Sequence, residues 1–240
     1  MQPDKKTWFR TLCIKNGFTP TDLQLEQLDQ YVKLLLEWNK KINLISRKDE
    51  ENVWNYHILH SVSPLFKLKV MEGSRIVDIG TGGGLPGIPL KILQPDISLL
   101  CLDATGKKVN SVLQIVNELK LKSVDVVWGR AEEIGMQSDY LHKFDIAIAR
   151  AVCQLDELIA LSINFLKKRN YSSPPEIQTN GSLINPIPPA LFAFKGGDLK
   201  QELDLATRRF PHVNINSIDL TFYGSEQLVA SDKKILVVHL

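Results

Sequence analysis

Hydrophobic positions in the first quarter of the chain recur with the period of an α-helix. Over residues 21–45, apolar side chains stand three and four residues apart, which places them on one helical face. Thr21 is a typical N-cap residue and predicts that the helix begins there. A second helical pattern covers roughly residues 50–65. The two patterns predict a helical N-terminal subdomain over residues 1–66.

From residue 75 the pattern changes to short apolar runs that alternate with amphipathic stretches. This alternation predicts a mostly parallel sheet covered by helices on both faces. The predicted strands are 75–79, 98–103, 124–129, 144–149 and 190–194, and the predicted helices are 87–94, 107–118, 131–135 and 155–165.

The last third of the chain contains a predicted hairpin and a predicted insertion. Segments 213–220 and 234–240 are strand-like with a turn region between them, which predicts an antiparallel pair. Residues 167–189 are polar, contain five prolines and exceed the length of a compact connection. We interpret them as a mobile insertion in a second domain of residues 67–240.

A glycine-rich turn follows the first predicted strand, with five glycines between residues 80 and 87. Glycine accepts positive φ and lets a backbone approach a ligand closely. A turn between a strand and a helix also directs free N–H groups at a ligand. A dinucleotide fingerprint needs glycine at the sixth position, where this chain has Leu85, so that fingerprint is excluded.

The spacing that is present begins with an acid two residues before the first glycine: Asp78, Gly80, Gly82 and Gly84. This is the spacing of class I methyltransferases that use S-adenosylmethionine (AdoMet). The alternative is a plain tight turn in an α/β protein. It is disfavoured because ordering clustered glycines costs much conformational entropy, which a turn alone does not require. A parallel sheet that ends in an antiparallel hairpin also typifies these enzymes. The sequence therefore predicts a class I AdoMet-methyltransferase Rossmann-like α/β fold with AdoMet as cofactor.

Polar residues follow each predicted strand, at the sheet edge where doubly wound folds bind ligands. The Asp103 carboxylate can accept both ribose hydroxyls, and Ala131 with Glu132 can frame an adenine edge. Arg150 and Lys195 follow the next two strands. The predicted cofactor site consists of Asp78, Gly80, Gly82, Gly84, Leu85, Asp103, Ala131, Glu132 and Arg150.

Each of these polar residues also has a simpler interpretation. Asp103 can cap the next helix, and Glu132 can be an ordinary first-turn acid. Arg150 can form a surface ion pair with Asp145 or Asp156. The occurrence of such residues at successive strand ends favours a binding site.

Composition narrows the classes of function. The net charge is +2, so a nucleic-acid surface must be a local patch. No apolar run approaches the roughly 20 residues of a membrane helix, and the first ten residues lack a signal-peptide core. Cys13, Cys101 and Cys153 fit free thiols in a reducing compartment. We expect a cytoplasmic monomer (or an imported stromal protein) with no membrane contact and no obligate protein partner.

Six segments occur in an order that is typical of one enzyme family: 38–46, 57–61, 78–89, 102–108, 130–133 and 144–151. Together they resemble the RsmG (GidB) family of small-subunit ribosomal RNA guanine-N7 methyltransferases. The resemblance covers about residues 25–166 and resumes at 192–197 and in the final strand. It implies AdoMet-dependent methylation of guanine N7 in 16S rRNA, with that rRNA or the small ribosomal subunit as partner.

Two features depart from the family pattern. The family usually has an aspartate where this chain has His60, and the insertion at 167–189 is longer than usual. His57 and His60 have the spacing of a helical metal pair, but they lack further ligands nearby, so no metal is predicted.

Methylation at guanine N7 needs no general base, because N7 has an unprotonated in-plane lone pair. Catalysis then depends on proximity and alignment. Arg150 and Lys195 are the predicted substrate-positioning residues at the mouth of the pocket, with Arg130 beside them. Lys107 and Lys108 are expected to bind backbone phosphates.

A second basic patch, formed by Lys40, Lys41, Arg47 and Lys48 near Trp38, is also predicted to bind RNA. Its alternative is a solvated helix end with a core tryptophan. Other functions stay open: methylation of another RNA or a small molecule, or a non-catalytic RNA-binding module. The last is disfavoured by the intact acid and glycine set, and a small-molecule enzyme would usually show a catalytic acid or base.

Overall fold

The N-terminal part of the chain is helical, as predicted. The computed structural model describes residues 4–70, 72–168, 178–180 and 183–240. Helix α1 is Lys5–Lys15 and helix α2 is Asp22–Asn39. Thr21 caps α2: its hydroxyl accepts from the Gln24 N–H at 3.2 Å, and the Gln24 side chain accepts from the Thr21 N–H at 2.9 Å.

The prediction of one continuous helix over residues 50–65 is wrong. Several short turns replace it: a 3₁₀ turn at Arg47–Asn52, a π-helical turn at Trp54–Ile58, α3 at Leu59–Val62 and α4 at Pro64–Lys67. Pro64 has no N–H to donate to the preceding turn, which explains why a new helix begins there.

Nine strands and six further helices occupy the rest of the described chain. The strands are β1 Arg75–Ile79, β2 Ser98–Asp103, β3 Val124–Trp128, β4 Ile146–Arg150, β5 Gln178–Asn180, β6 Leu183–Asn185, β7 Ala190–Gly196, β8 Asn214–Asp219 and β9 Lys233–His239. The helices are α5 Gly87–Leu93, α6 Gly106–Glu118, α7 Ala131–Ile134, α8 Leu155–Ile163, α9 Lys200–Arg209 and α10 Glu226–Ala230.

Seven of these strands form one sheet in the order β3-β2-β1-β4-β7-β9-β8. The first five run parallel, and β9 is antiparallel to both β7 and β8. The predicted fold class is therefore confirmed, including the C-terminal antiparallel hairpin. The strand order reverses between β1 and β4, so the carboxyl ends of these two strands frame the switch point where such sheets bind ligands.

Some element boundaries differ from the predictions. Phe144 forms only an isolated bridge with Leu166, and β4 begins two residues later, at Ile146. Helix α9 was not predicted, because it is highly charged and Ala206 is its one buried residue. A weak apolar stripe gives little periodic signal.

The described part of the predicted insertion contains a hairpin. Strands β5 and β6 pair antiparallel, and the Lys69 N–H donates to the Ile184 carbonyl at 2.9 Å. Residues 169–177 and 181–182 lie outside the described residues, so the mobility of the insertion stays a prediction.

Hydrophobic layers cover both faces of the sheet. One layer joins the N-terminal helices to the sheet, for example through Phe9, Leu28 and Ile76, and the other includes Leu158 of α8. The first layer crosses the predicted boundary at residue 66, and the division into two domains stays a prediction. Among the described residues, no helix is long and apolar enough to span a bilayer.

Asn39 organises the loop that follows α2. Its side-chain oxygen accepts from the N–H groups of Leu44 at 2.8 Å and Ile45 at 2.9 Å, and its amide donates to Glu50 at 2.6 Å. The residue is only 1% exposed. The first asparagine of the family-like segment 38–46 is therefore a structural residue that positions a wall of the cleft described below.

We expect Asn39→Ala to lower the free energy of unfolding by about 3 kcal/mol, because it leaves buried N–H groups without an acceptor. Urea denaturation measures this loss. The control is Asn43→Ala, four residues further along, where the exposed side chain has no hydrogen bond within the described residues. Equal losses in the two variants would contradict the assignment.

Candidate active site

The carboxylate of Asp78 lies beneath the glycine turn and accepts hydrogen bonds from it. It is fully buried at the end of β1, and its Oδ2 accepts from the Thr81 hydroxyl at 2.7 Å and the Gly87 N–H at 2.9 Å. Its Oδ1 is buried without a partner among the described residues. Burial raises the pKa of Asp78 to about 6. Asp78 therefore shapes the turn, and its side chain does not line the cleft.

Three glycines of the turn adopt positive φ: Gly80 at 69°, Gly82 at 59° and Gly84 at 91°. A Cβ on Gly80 would stand 2.7 Å from Val152, and one on Gly84 would stand 2.6 Å from Ile88. A Cβ on Gly82 would meet only the Gly80 carbonyl, at 4.0 Å. Gly82 is thus the turn glycine that faces open space.

Helix α2 packs directly against the turn. The buried Tyr31 hydroxyl donates to the Gly83 carbonyl at 2.9 Å. A Cβ on Gly83 would lie 2.7 Å from Leu35 and 3.2 Å from Leu44. The sequence gives no local sign of this contact, because the two residues are 52 positions apart.

Asp103 lies beside the turn and binds it. Its Oδ2 accepts from the Gly82 N–H at 2.9 Å, and its Oδ1 accepts from the Thr105 N–H at 2.8 Å. The alternative role as the cap of α6 is wrong, because Thr105 occupies the N-cap position. Each carboxylate oxygen keeps a lone pair that can accept a further hydrogen bond.

The end of β3 lies at a distance from the switch point. Ala131 and Glu132 begin α7, and Glu132 is exposed in the first turn, so its interpretation as an ordinary first-turn acid stays open. Arg130 is exposed before them. Because β2 and β1 separate β3 from β4, the two strand ends stand roughly 14 Å apart. The structure does not place Arg130 beside Arg150.

One residue at this strand end was not singled out from the sequence. Trp128 is 69% exposed, and its indole N–H donates to the Ala104 carbonyl at 3.1 Å. Its ring lies against Gly106, where a Cβ would be 3.4 Å from the indole. An exposed, anchored aromatic ring therefore flanks the Asp103 side of the turn.

Arg150 lies on the floor of the cleft. Its guanidinium approaches the His57 carbonyl and the Ser61 hydroxyl, both at 3.4 Å, and the His57 Nδ1 at 3.1 Å. The surface ion pair with Asp145 or Asp156 is wrong, because those acids pair with other cations. Arg150 is therefore held inside the protein by an N-terminal segment, not placed at the mouth of the pocket.

His57 connects Arg150 to Asp49. A guanidinium only donates, so Nδ1 accepts and Nε2 carries the proton that it donates to Asp49 at 3.1 Å. Burial, and then the charge of Arg150, lowers the pKa of His57 below its usual 6.5. His57 is accordingly neutral at neutral pH, and both of its ring nitrogens are engaged.

His60 is buried next to the cleft and its ring meets the Phe194 ring edge-on, with centroids 5.3 Å apart. Its Nε2 has no hydrogen-bond partner among the described residues. Burial, then Arg150 and Lys233, lowers its pKa well below 6.5. No group of three or more metal-ligating side chains occurs in the described part of the chain.

Lys195 is not a free cation. Its ammonium donates to the Cys153 carbonyl at 2.7 Å and forms an ion pair with Glu202 of α9. Lys195 lines the cleft described below, but Glu202 already neutralises its charge.

These strand ends open into a cleft of about 670 Å³ at the carboxyl edge of the sheet. Six predicted residues line it: Gly80, Gly82, Leu85, Lys108, Arg150 and Lys195. Asp78 and Gly84 lie behind the turn, and Asp103 adjoins it through Gly82. A second cleft, of about 740 Å³, lies at the amino ends of the strands beside Glu72 and Asp145. Parallel sheets bind ligands at their carboxyl ends, so we take the first as the candidate active site.

The remaining predicted basic residues lie outside this cleft. Lys107 is exposed on the first turn of α6. Lys40 and Lys41 are exposed at the end of α2, and the Lys41 ammonium stands 4.7 Å from the ring centre of Trp38. Trp38 is half-buried against the core, so both interpretations of this patch retain support.

Comparison with known proteins identifies the family. A family model described as rRNA small subunit methyltransferase G (GidB) matches residues 24–172. The chain belongs to this family. The match agrees with the resemblance seen over residues 25–166 and confirms it.

Curated relatives share the description. A ribosomal RNA small subunit methyltransferase G of Alkaliphilus oremlandii is 37% identical over 187 residues, which is 77% of each chain. One from Streptococcus agalactiae is 41% identical over 160 residues, which is 66% of this chain and 68% of the relative.

Solved structures confirm the fold. A SAM-dependent methyltransferase from Aquifex aeolicus superposes with a TM-score of 0.51 at 15% identity, over 85% of this chain and 96% of that one. TYW2 from M. jannaschii, solved with AdoMet, gives 0.50 at 11% identity, over 83% of this chain and 77% of that one. At these low sequence identities, the similarity shows the shared fold alone.

Substitutions at neighbouring glycines should separate packing from binding. Gly82→Ala places a methyl group in open space at a cost of about 1 kcal/mol for positive φ, so it should fold and weaken AdoMet binding. Gly83→Ala should lose more stability, about 1–3 kcal/mol, because its methyl group overlaps Leu35. Thermal unfolding and titration calorimetry with AdoMet measure these effects. Wild-type AdoMet affinity in Gly82→Ala would contradict the placement of the cofactor.

Asp78 and His57 should make opposite contributions to stability as pH falls. The raised pKa of Asp78, about 6, means that the folded state binds its proton more readily, so its contribution grows from pH 6 towards 4. The lowered pKa of His57 means that the unfolded state binds its proton more readily, so its contribution is lost below pH 6.5.

Asp78→Asn keeps a hydrogen-bond acceptor and removes the ionisation. Its free energy of unfolding should therefore fall more steeply than that of the wild type between pH 6 and 4, by about 3 kcal/mol. Urea denaturation across this range is the measurement, with the exposed Asp125→Asn as control. Parallel pH profiles for Asp78→Asn and the wild type would refute the assignment.

Proposed function

We propose that this protein transfers the methyl group of AdoMet to N7 of a guanine in 16S rRNA of the small ribosomal subunit. The observation that carries the proposal is the acid-and-glycine turn at the switch point of a chain that belongs to the rRNA small subunit methyltransferase G family. AdoMet is the cofactor, and small-subunit rRNA is the substrate.

The residues present fit AdoMet. Open space beside Gly82 leaves room for a ligand against the turn. Asp103 is anchored by two backbone N–H groups and keeps lone pairs for the ribose hydroxyls. Ala131 and Glu132 are proposed to frame the adenine. When bound, AdoMet supplies an electrophilic methyl group on a sulfonium.

The cleft suits an acceptor that needs no deprotonation. Guanine N7 offers a free lone pair, so the protein has to position the base and exclude competing geometries. His57 is engaged on both ring nitrogens and does not act as a base. Burial raises the pKa of Cys153 to about 11, so this thiol is not a nucleophile at neutral pH. A small-molecule methyltransferase that must remove a proton is less well supported.

Arg150 is proposed to define the floor against which the base rests, through its contacts with His57 and Ser61. Lys108 lines the cleft and is proposed to bind a phosphate. Lys40, Lys41, Lys107 and Arg130 are proposed as outer phosphate contacts. Lys195 has less support as a substrate contact, because Glu202 neutralises it. Cytoplasmic location and a monomeric state stay predictions.

Incubation with tritiated AdoMet tests the proposed function. Small ribosomal subunits, naked 16S rRNA and tRNA are offered separately, and the label is mapped by aniline cleavage, which detects 7-methylguanine. We expect label at a guanine of small-subunit rRNA, in the particle or in naked rRNA. Label confined to tRNA would redirect the assignment, and label in none of them would overturn it.

Asp103→Asn should weaken AdoMet binding about tenfold, since it replaces a charge-assisted acceptor of the ribose by a neutral one. Calorimetry measures the affinity. Asp125→Asn, which makes the same chemical change on the exposed face of β3, should bind AdoMet like the wild type. An unchanged affinity in Asp103→Asn would remove the ribose contact from the proposal.

A further inference from the structure

One side of the cleft is bounded by the carboxyl ends of β4 and β7 and by the amino end of β9. We call it the acceptor side. The glycine turn and Asp103 lie towards β1 and β2, so the cofactor would take that half and the methyl acceptor the other. Two cations of the acceptor half are already engaged: Arg150 with His57 and Ser61, and Lys195 with Glu202.

Lys233, the first residue of β9, is the third cation on this side. It lines the cleft, is half-buried, and has no ion pair or hydrogen bond through its side chain within the described residues. The sequence did not single it out, because Lys233 stands in the turn region just before the predicted strand 234–240.

Gly196 leaves room for the Lys233 side chain. The two residues are cross-strand partners of β7 and β9. A Cβ on Gly196 would stand 3.0 Å from Cδ of Lys233 and 3.4 Å from its Nζ. The lysine therefore lies across the glycine and holds its ammonium at the cleft wall.

The lining of the cleft has more basic than acidic side chains, which favours an anionic ligand. Its lining cations are Lys108, Arg150, Lys195 and Lys233, whereas Asp49 is its lining acid. Glu202 offsets Lys195, and Asp49 faces His57. The field of Lys233 reaches the floor, where it contributes, after burial and Arg150, to the lowered pKa of His60.

We propose that Lys233 binds an RNA phosphate next to the target nucleotide and so positions the base over the Arg150 floor. This inference rests on the proposed function. The phosphate is the anionic group of RNA, so it is the part of the substrate that can neutralise this ammonium. A compact, flexible ammonium on a long stem is well suited to a phosphate oxygen.

The next residue provides a matched control. Lys234 points to the opposite face of β9, and its ammonium pairs with Asp232 at 3.0 Å. Lys233→Gln and Lys234→Gln remove the same charge one residue apart, and only the first removes it from the cleft. Lys233→Arg keeps the charge and tests rescue.

The experiment measures binding of overlapping RNA fragments that together cover 16S rRNA, over a range of salt concentrations, together with AdoMet binding. For Lys233→Gln we expect RNA affinity to fall about tenfold. The slope of log affinity against log salt should also decrease by about 0.7, as for one lost phosphate contact on a single strand. AdoMet affinity should be unchanged, Lys233→Arg should restore most RNA binding, and Lys234→Gln should behave like the wild type.

Two outcomes would overturn the role of Lys233. One is an RNA affinity and salt slope equal to those of Lys234→Gln, and the other is an equal loss of AdoMet and RNA affinity. Because binding is measured without methyl transfer, the two proposals can fail separately. A wild type that labels no rRNA yet shows the salt slope dependent on Lys233 would refute the function and keep the contact.

Discussion

The buried carboxylate of Asp78 holds together the part of the molecule on which the active site depends. By accepting from Thr81 and Gly87, it joins both ends of the glycine turn and orients the N-terminus of α5. The cost is an acid in a low-dielectric interior, which appears as a raised pKa. Asp103 then binds the other side of the same turn through Gly82. Two carboxylates, one below the turn and one beside it, thus fix the backbone of the turn at the candidate active site.

The sheet could be predicted because its strands are short apolar runs, such as Arg75–Ile79 and Ser98–Asp103, whose bounds the structure reproduces. The turn could be predicted because its chemistry is local: an acid and glycines at fixed spacing. Tyr31 could not, since its contact with Gly83 joins segments that are distant along the chain. The link from Arg150 through His57 to Asp49 is hidden for the same reason.

The errors among the basic residues share a physical cause. Strand ends predict which residues meet at one edge, but they do not give the distance between strands, and Arg130 therefore lies away from Arg150. The ion pair of Lys195 was not predicted, because α9, which carries its partner Glu202, has too weak an apolar pattern to be predicted. Lys233 was not selected for a related reason: that its side chain lacks a partner among the described residues is visible only in three dimensions.

The packing of α2 on the glycine turn has a consequence for how this enzyme can vary. Gly83 has no room for a side chain because Leu35 and Leu44 occupy that space, and Tyr31 anchors its carbonyl. Helix α2 therefore supports the glycine turn from behind the candidate active site. A substitution at Leu35 or Tyr31 would alter the support of the turn. We therefore expect substitutions in α2 and in the turn to be coupled during evolution.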